Sequence, residues 1–482
     1  MKLTKVNFHD LSKEITLRND YQFLDYYNST ENNVYYNFYE LFEIIDAKKN
    51  VILPNDDFYY AEIGMTNSDN EVNAIQLNFN YRDEDEDNET FYKKISRGNI
   101  IKPQLGDILI SKVRPNLKKI IFIDGEKKDV YFTSAFICIR PKKLKKILYY
   151  ALRSVFFQDI LSLSRIGKGY PTLNEKDIMG LKFSKSLIDT LESQEKHLNK
   201  EIINKEKDIL SMRKKRTNES EIINKIFDDK YQFNEILEKN YSSSYTIGFS
   251  KLSEDMDLRF SPKFHRLTKT KIENKFNELK SRRIKEFVKT PIMTGKSISP
   301  MDYSQEDLGI SYISMKSIGS WYLDKENMDF VTVSYENNNS YKKPSGHKDL
   351  CSTKVEKNDI LMIRSGEGAI GKVALVDEEV NAIFSDFVIR IQLENYNPKF
   401  AYYLFRTKIY QKLIEIYKKG LGNNTNIFPN VIKDFPLISE NISEQNRIVN
   451  EISSKIQENK QCIHQMRVLL DSIEDLIKKN ID

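Results

Sequence analysis

The chain has 482 residues, with 75 Lys and Arg against 70 Asp and Glu, a formal net charge of +5 and a pI near 8.6. With 30% charged and 40% hydrophobic residues it is a globular protein rather than a disordered one, too long for one ordinary core, and less basic than the pI above ~9 of a domain dominated by a nucleic-acid surface. Its three cysteines (Cys138, Cys351, Cys462) and five histidines make no disulfide framework or metal-ligand spacing, no apolar run approaches the roughly 18 residues of a membrane span, and no signal-peptide pattern opens it, so a reducing cytoplasmic setting with no membrane is expected.

Residues 1–190 mix short strand-like runs with turn signals. Phe58–Ile63, Asp107–Val113, Lys119–Ile123 and Ser134–Ile139 are rich in β-branched and aromatic residues and read as strands. The acidic run Asp83-Glu84-Asp85-Glu86-Asp87 reads as a solvated loop, because five adjacent carboxylates repel one another. Lys142–Ser164 reads as one helical segment with Leu144, Ile147, Leu148, Ala151, Val155 and Ile160 on its face, ended by Gly167-Lys168-Gly169-Tyr170-Pro171.

From about Glu192 to Ile226 the pattern becomes that of a long amphipathic helix. Leu198, Ile202, Ile209, Met212, Ile223 and Ile226 recur at spacings of three and four, and Lys205, Arg216 and Glu219 fill the remaining seam positions. The C-terminal segment keeps the heptad more cleanly, through Val449, Ile452, Ile456, Asn459, Ile463, Met466, Leu470, Ile473 and Ile477. Each helix would run about 50 Å at 1.5 Å per residue. Neither seam can stay exposed. The two helices are expected to pack antiparallel on each other, with the polar seam residues setting register; the alternative leaves each helix on its own module.

The chain also repeats itself. Gly106-Asp107-Ile108-Leu109-Ile110-Ser111 returns as Asn358-Asp359-Ile360-Leu361-Met362-Ile363, with the aspartates 252 positions apart. Thr133-Ser134-Ala135-Phe136-Ile137 returns as Phe384-Ser385-Asp386-Phe387-Val388, now 251 apart. Tyr60-Ala61-Glu62-Ile63 is answered by Tyr312-Ile313-Ser314-Met315. A period of half the chain is too long for a solenoid and indicates a duplicated module. The expected fold class is α+β: two similar mixed α/β modules (1–190 and 231–440) separated by two long antiparallel coiled-coil helices (191–230 and 441–482), with a pseudo-two-fold internal repeat.

No catalytic constellation stands out. Gly366-Glu367-Gly368-Ala369-Ile370-Gly371-Lys372-Val373 imitates two phosphate-binding loops, but Val373 replaces the Mg²⁺-holding hydroxyl and a strand-like run follows where a helix is needed. It reads as a glycine-containing β-hairpin. Asn397-Pro398-Lys399-Phe400 lacks the second proline of the adenine-N6 methyltransferase motif, and Glu273-Asn274-Lys275 is a common triplet in a chain this rich in Lys and Glu.

What remains are polar and basic residues at the turns, candidates for contacting phosphates or base edges. Copy one offers Lys112, Arg114, Lys118 and Lys119, with Lys168 and Tyr170 at its Gly-Lys-Gly-Tyr exit. Copy two offers Lys296, Lys316, Arg364, Ser365 and Lys372, with Asn423 and Asn424 at the equivalent exit. For any one of these alone the solvated-surface reading is the favoured one; their recurrence in both copies gives the set its weight. Trp321 and Tyr322 read as a stacking pair or as core rim.

Two variable modules, each followed by a long helix, with the repeated Gly/Asn-Asp-Ile-Leu strands and the Gly366–Lys372 hairpin, resemble the specificity subunit of type I restriction–modification enzymes. The resemblance covers nearly the whole chain and is most specific at Asn358–Leu375, Phe384–Ile391 and Phe428–Leu437. It implies that each module is a target recognition domain reading half of a split, asymmetric double-stranded DNA site. The helices would be a ruler between half-sites and a platform for two DNA methyltransferase (modification) subunits, with restriction/translocase subunits added. It implies no catalysis and no cofactor on this chain, with S-adenosylmethionine, ATP and Mg on the partner subunits. Two other readings stay open: a coiled-coil protein binding protein or glycan surfaces, and the recognition part of a methyltransferase without a nuclease.

Overall fold

The computed structural model describes residues 22–23, 25–26, 34–45, 57–78, 93–94, 97, 99–166, 170–237, 246, 248, 261–304, 309–332, 334–336, 340–342, 353–366, 368–420 and 424–480. The acidic run 83–87 and Cys351 lie outside them. The chain divides into two compact units, Met1–Arg216 with Gln461–Asp482, and Thr217–Lys460.

Unit 1 holds eight principal strands: β1 (Phe42–Ile44), β2 (Asp57–Ala61), β3 (Ile75–Asn78), β4 (Ile100–Ile101), β5 (Ile108–Ser111), β6 (Ile120–Phe122), β7 (Val130–Thr133) and β8 (Phe136–Pro141). They form two four-stranded sheets, β1-β8-β5-β6 and β3-β2-β7-β4, the latter containing the parallel pair β2·β7. The central strand β5 is buried on both faces, which is why its sequence is a continuous apolar run rather than an alternation. Ile108 and Ile110 face a cluster with Ile137, Ile139 and Leu148, while Leu109 joins Ile121, Cys138 and Phe132 on the other side.

The helical segment expected over 142–164 is two helices, α1 (Lys145–Arg153) and α2 (Phe157–Leu163), broken at 154–156. Its apolar spacing nevertheless continues, because both helices cover the same core: Leu144, Ile147, Leu148, Ala151 and Ile160 are all buried there. Next come α3 (Lys185–Ser193) and α4 (Glu195–Lys215).

The helix expected over 192–226 likewise stops, at Lys215. It restarts as α5 (Glu219–Tyr231), where the Asn218 side chain accepts a hydrogen bond from the Ser220 amide. An asparagine cap costs little to nucleate a new helix start, and Arg216 and Asn218 both have extended backbone.

Unit 2 repeats the sheets with β9 (Met293–Thr294), β10 (Tyr303–Ser304), β11 (Ile310–Ile313), β12 (Asp329–Val331), β13 (Ile360–Ile363), β14 (Val373–Leu375), β15 (Ala382–Phe384) and β16 (Val388–Ile391). The orders are β9-β16-β13-β14 and β10-β12-β11-β15, with β11 and β15 parallel. Helices α6 (Pro398–Phe405) and α7 (Lys408–Tyr417) cover the first sheet, and α8 (Ile442–Lys479) ends the chain. The proline motif at 397–400 is a helix start: the Asn397 side chain accepts from the amides of Lys399 and Phe400, and Pro398 sits in the first turn, where its missing N–H is not needed.

Strand register corrects the second sequence echo. In unit 1, Ile108 pairs with Ile139 and Ser111 with Phe136; in unit 2, Ile360 pairs with Ile391 and Ile363 with Val388. Phe136 therefore corresponds to Val388 at the same offset of 252 as the aspartates, and not to Phe387. Phe136 is fully buried and Phe387 is 44% exposed. A one-residue slip turns a core side chain outward.

Helix pairing is antiparallel within each unit. In unit 1 the Lys205 ammonium donates to Ser472 at 3.0 Å, and the Cys462 thiol donates to the Met212 carbonyl at 3.6 Å. In unit 2 the Thr217 amide donates to Asn459 at 3.1 Å, while Lys230 pairs with Glu440 at 3.2 Å and with Glu444. Leu198, Ile202, Ile209, Met466, Leu470 and Ile473 are buried in the unit 1 core, with Met212 partly buried against it. Ile223, Val449, Ile452 and Ile456 are buried in the unit 2 core, and Ile463 is half-buried. The seams thus pack on a partner helix and on a module at once.

Candidate nucleic-acid interface

The two units share a backbone crossing at the end of their central strands. In unit 2 the Arg364 amide donates to the Phe387 carbonyl (2.9 Å), the Ile427 amide to the Arg364 carbonyl (2.9 Å), and the Gly366 amide to the Thr425 carbonyl (3.3 Å). In unit 1 the same bonds run from Lys112 to Ala135 (2.9 Å), Leu173 to Lys112 (2.9 Å) and Arg114 to Pro171 (2.9 Å). The exits after residue 170 and after residue 424 are therefore stitched to their hairpins in the same manner. Gly366–Lys372 connects the antiparallel strands β13 and β14. Gly366 (φ 95°) and Gly371 (φ 84°) take left-handed backbone, and a Cβ at Gly371 would meet Ile414 at 2.9 Å.

The candidate residues differ in how committed they are. In unit 1 the Arg114 guanidinium lies 3.7 Å from the centre of the Tyr170 ring, and Tyr170 is 55% exposed. Lys112 pairs with Glu175 at 3.1 Å. Lys118 is drawn inward to Glu474 at 2.5 Å, and Lys119 donates to the Ile63 carbonyl at 2.7 Å, where burial holds its ammonium pKa below the usual value. Lys168 lies outside the described residues.

In unit 2 Arg364 donates to the Asp386 carbonyl and, at 3.3 Å, to Asn426, and stands 6.0 Å from the Phe428 ring. Ser365 is buried, and Lys372 reaches the Gly319 carbonyl at 3.3 Å. Lys296 is half-buried and its carbonyl accepts from the Tyr312 hydroxyl; Lys316 pairs with Asp329 at 2.6 Å. Asn424 is exposed, and Asn423 lies outside the described residues. Trp321 and Tyr322 flank Arg406, at 5.7 and 5.3 Å from its guanidinium, at the rim of the core.

The crossing brings Arg114 and Tyr170 together in one unit and Arg364, Asn426 and Phe428 in the other. Guanidinium groups steadied by aromatic rings and carbonyls suit planar anionic or base-edge partners. Phe387, Asn426 and Phe428 escaped the sequence reading. The slipped echo made Phe387 look like a core strand residue, and only its register shows that it points outward. Among the described residues no group of three or more His, Cys, Asp or Glu is placed to hold a metal ion.

The repeated aspartates, by contrast, are locks. Asp107 accepts from the Gln104 amide at 2.7 Å and Asp359 from the Glu356 amide at 2.8 Å, each closing the turn that enters its central strand. The Arg140 guanidinium completes Asp107 with bonds of 2.7 and 2.9 Å. The Gln392 carboxamide, 252 residues on from Arg140, donates to Glu356 at 3.2 Å. Burial raises the pKa of the nearby Asp359 carboxyl, and Gln392 helps hold it down.

Residues 313–465 match the family description "Type I restriction modification DNA specificity domain", a stretch that contains Arg364, Phe387 and Asn426. That stretch, about a third of the chain, is similar to the DNA specificity domain of type I restriction–modification systems. No curated protein matches it.

Similar solved structures include a type I restriction–modification system studied for complex assembly and conformational transition (11% identity, 92% of this chain and 97% of that one, TM-score 0.38). The HsdS subunit from Thermoanaerobacter tengcongensis is 13% identical over 93% of this chain and 96% of its own (TM-score 0.33). The type I system S subunit from M. genitalium is 15% identical over 94% and 97% (TM-score 0.40).

Proposed function

We propose that this chain reads a bipartite, asymmetric double-stranded DNA site for a type I restriction–modification complex and positions adenine-N6 methyltransferase subunits on it. The family match over 313–465 carries the reading, and the duplicated sheets with a common crossing support two readers on one chain. Modules 1–190 and 231–440 are the two target recognition domains in this reading, and the helical segments 191–230 and 441–482 set the spacer. Two modification subunits bring S-adenosylmethionine, and restriction/translocase subunits bring ATP and Mg chemistry, in the cytoplasm. This chain supplies specificity and assembly. No observation favours protein or glycan surfaces as its target.

The test is to map adenine methylation in the host with and without the gene. The expected result is loss of one bipartite motif whose modified adenines lie on opposite strands. An unchanged methylation map while the partner subunits are expressed refutes the proposal.

A further inference from the structure

We propose that the outward row Phe387, Arg364, Asn426 and Phe428 is the base-reading face of unit 2, and that the matching row Ala135, Lys112 and Thr172 makes unit 1 read a different half-site. This rests on the DNA-recognition reading above and names the residues that would carry it out.

Four backbone segments lie side by side here. Phe387 accepts from Arg364, Arg364 accepts from Ile427, and Asn426 exchanges bonds of 2.8 and 2.7 Å with Lys419. Neighbouring strands are about 4.8 Å apart, so the row, which lies on three of these segments, spans about 10 Å, roughly three base-pair steps. Alternation sets the faces. Ile363, Val388 and Ile427 are buried, whereas Phe387 is 44% and Phe428 40% exposed. The Arg364 side chain already lies on the outer side, held by Asn426 and the Asp386 carbonyl and standing over Phe428.

The chemistry of the row is that of groove readout. A guanidinium suits guanine O6 and N7, a carboxamide suits adenine N6 and N7, and an exposed phenyl ring suits a thymine methyl. Exposed aromatic rings on the two segments that border the Arg364 strand leave apolar surface in water unless a partner covers it. At the same backbone positions unit 1 carries a methyl group, a lysine paired with Glu175, and an exposed threonine. The scaffold bonds are equal and the side chains unlike, which is what two unlike half-sites require.

The experiment uses the full chain in complex with its modification subunits and a duplex carrying the methylated motif mapped in the host. Binding is compared with duplexes in which one half-site or the other is scrambled. For Phe387→Ala and Asn426→Ala, discrimination against one scrambled half-site is expected to fall at least about tenfold, with discrimination at the other half-site unchanged. Phe387→Leu, which keeps an apolar contact, recovers part of the loss. Unchanged discrimination at both half-sites overturns the inference, as does a parallel fall at both together with a lowered Tm. Absence of any site-specific binding by the wild-type complex is a different result, and it overturns the function proposed above.

Discussion

The guanidinium of Arg153 donates to the carboxylate of Glu474 at 3.1 Å, with both side chains less than one-tenth exposed. Arg153 ends the helix that follows the first module's sheets, whereas Glu474 lies on the helix that follows the second module. Unit 2 mirrors the arrangement: Arg406, at the end of α6, pairs with Glu219 of α5 at 3.2 Å. Each module's arginine is thus answered by the helix that follows the other module in sequence.

The unit 1 pair should be unequal under mutation. Glu474 is also the partner of Lys118, so Glu474→Leu strands two cations, while Arg153→Met leaves Glu474 still paired. Removing one partner of a buried pair costs about 3–5 kcal/mol. Glu474→Leu is expected at or above that range and Arg153→Met below it, read from urea unfolding of the full chain. A larger loss for Arg153→Met would falsify this assignment of the shared carboxylate.

A second asymmetry follows from the aspartate locks. Arg140→Gln places in unit 1 the residue that unit 2 carries at the equivalent position, Gln392, and Arg140 is partly exposed, so the change should cost less than about 1 kcal/mol. Asp107→Ala leaves the Gln104 amide and the Arg140 guanidinium without their acceptor and should cost about 2–3 kcal/mol. Thermal melts of the two variants test the order.

Acid sensitivity is expected where α5 meets the start of α8. Hydrogen bonds from Arg447 and then Lys230 lower the Glu444 pKa to about 2 from a usual 4.5. The folded state therefore holds this proton less tightly than the unfolded chain does. The stabilisation is present above pH 4.5 and is lost as the pH falls toward 2. The Tm difference between wild type and Glu444→Gln should be largest near pH 6 and shrink through that window. A difference that stays constant from pH 6 to 2.5 excludes this ionic origin.

Arg114 should behave as a phosphate contact that carries no sequence information. Arg114→Ala is expected to weaken binding equally for cognate and scrambled duplexes and to lower the slope of log K against log salt by about 0.9. A change confined to one half-site would make Arg114 a base reader instead.

Much of the scaffold was legible because strand burial writes itself into sequence. The runs at 108–111 and 360–363 are apolar on both faces, and their aspartates sit at fixed turn positions. Legibility failed where identity competed with register: Phe136 and Phe387 are the same residue facing opposite ways. It failed again at helix breaks, since the apolar spacing across 153–157 and 212–223 continues through interruptions when both pieces cover one core. The clearest missed signal was a fourth echo, Tyr149-Tyr150-Ala151-Leu152-Arg153 against Tyr402-Tyr403-Leu404-Phe405-Arg406. Aromatic and aliphatic residues there read as ordinary core, and no local pattern reveals that the terminal arginine seeks a glutamate hundreds of residues away.

The placement of Met466, Leu470, Ile473 and Ile477 in the core of unit 1 has a consequence for synthesis. Domains commonly fold as they leave the ribosome, the first one first. Here the earlier-made unit waits for side chains beyond residue 465, while unit 2, which ends at Lys460, has all its parts sooner. A frameshift within codons 463–482 would therefore strike the unit built mainly on residues before 217.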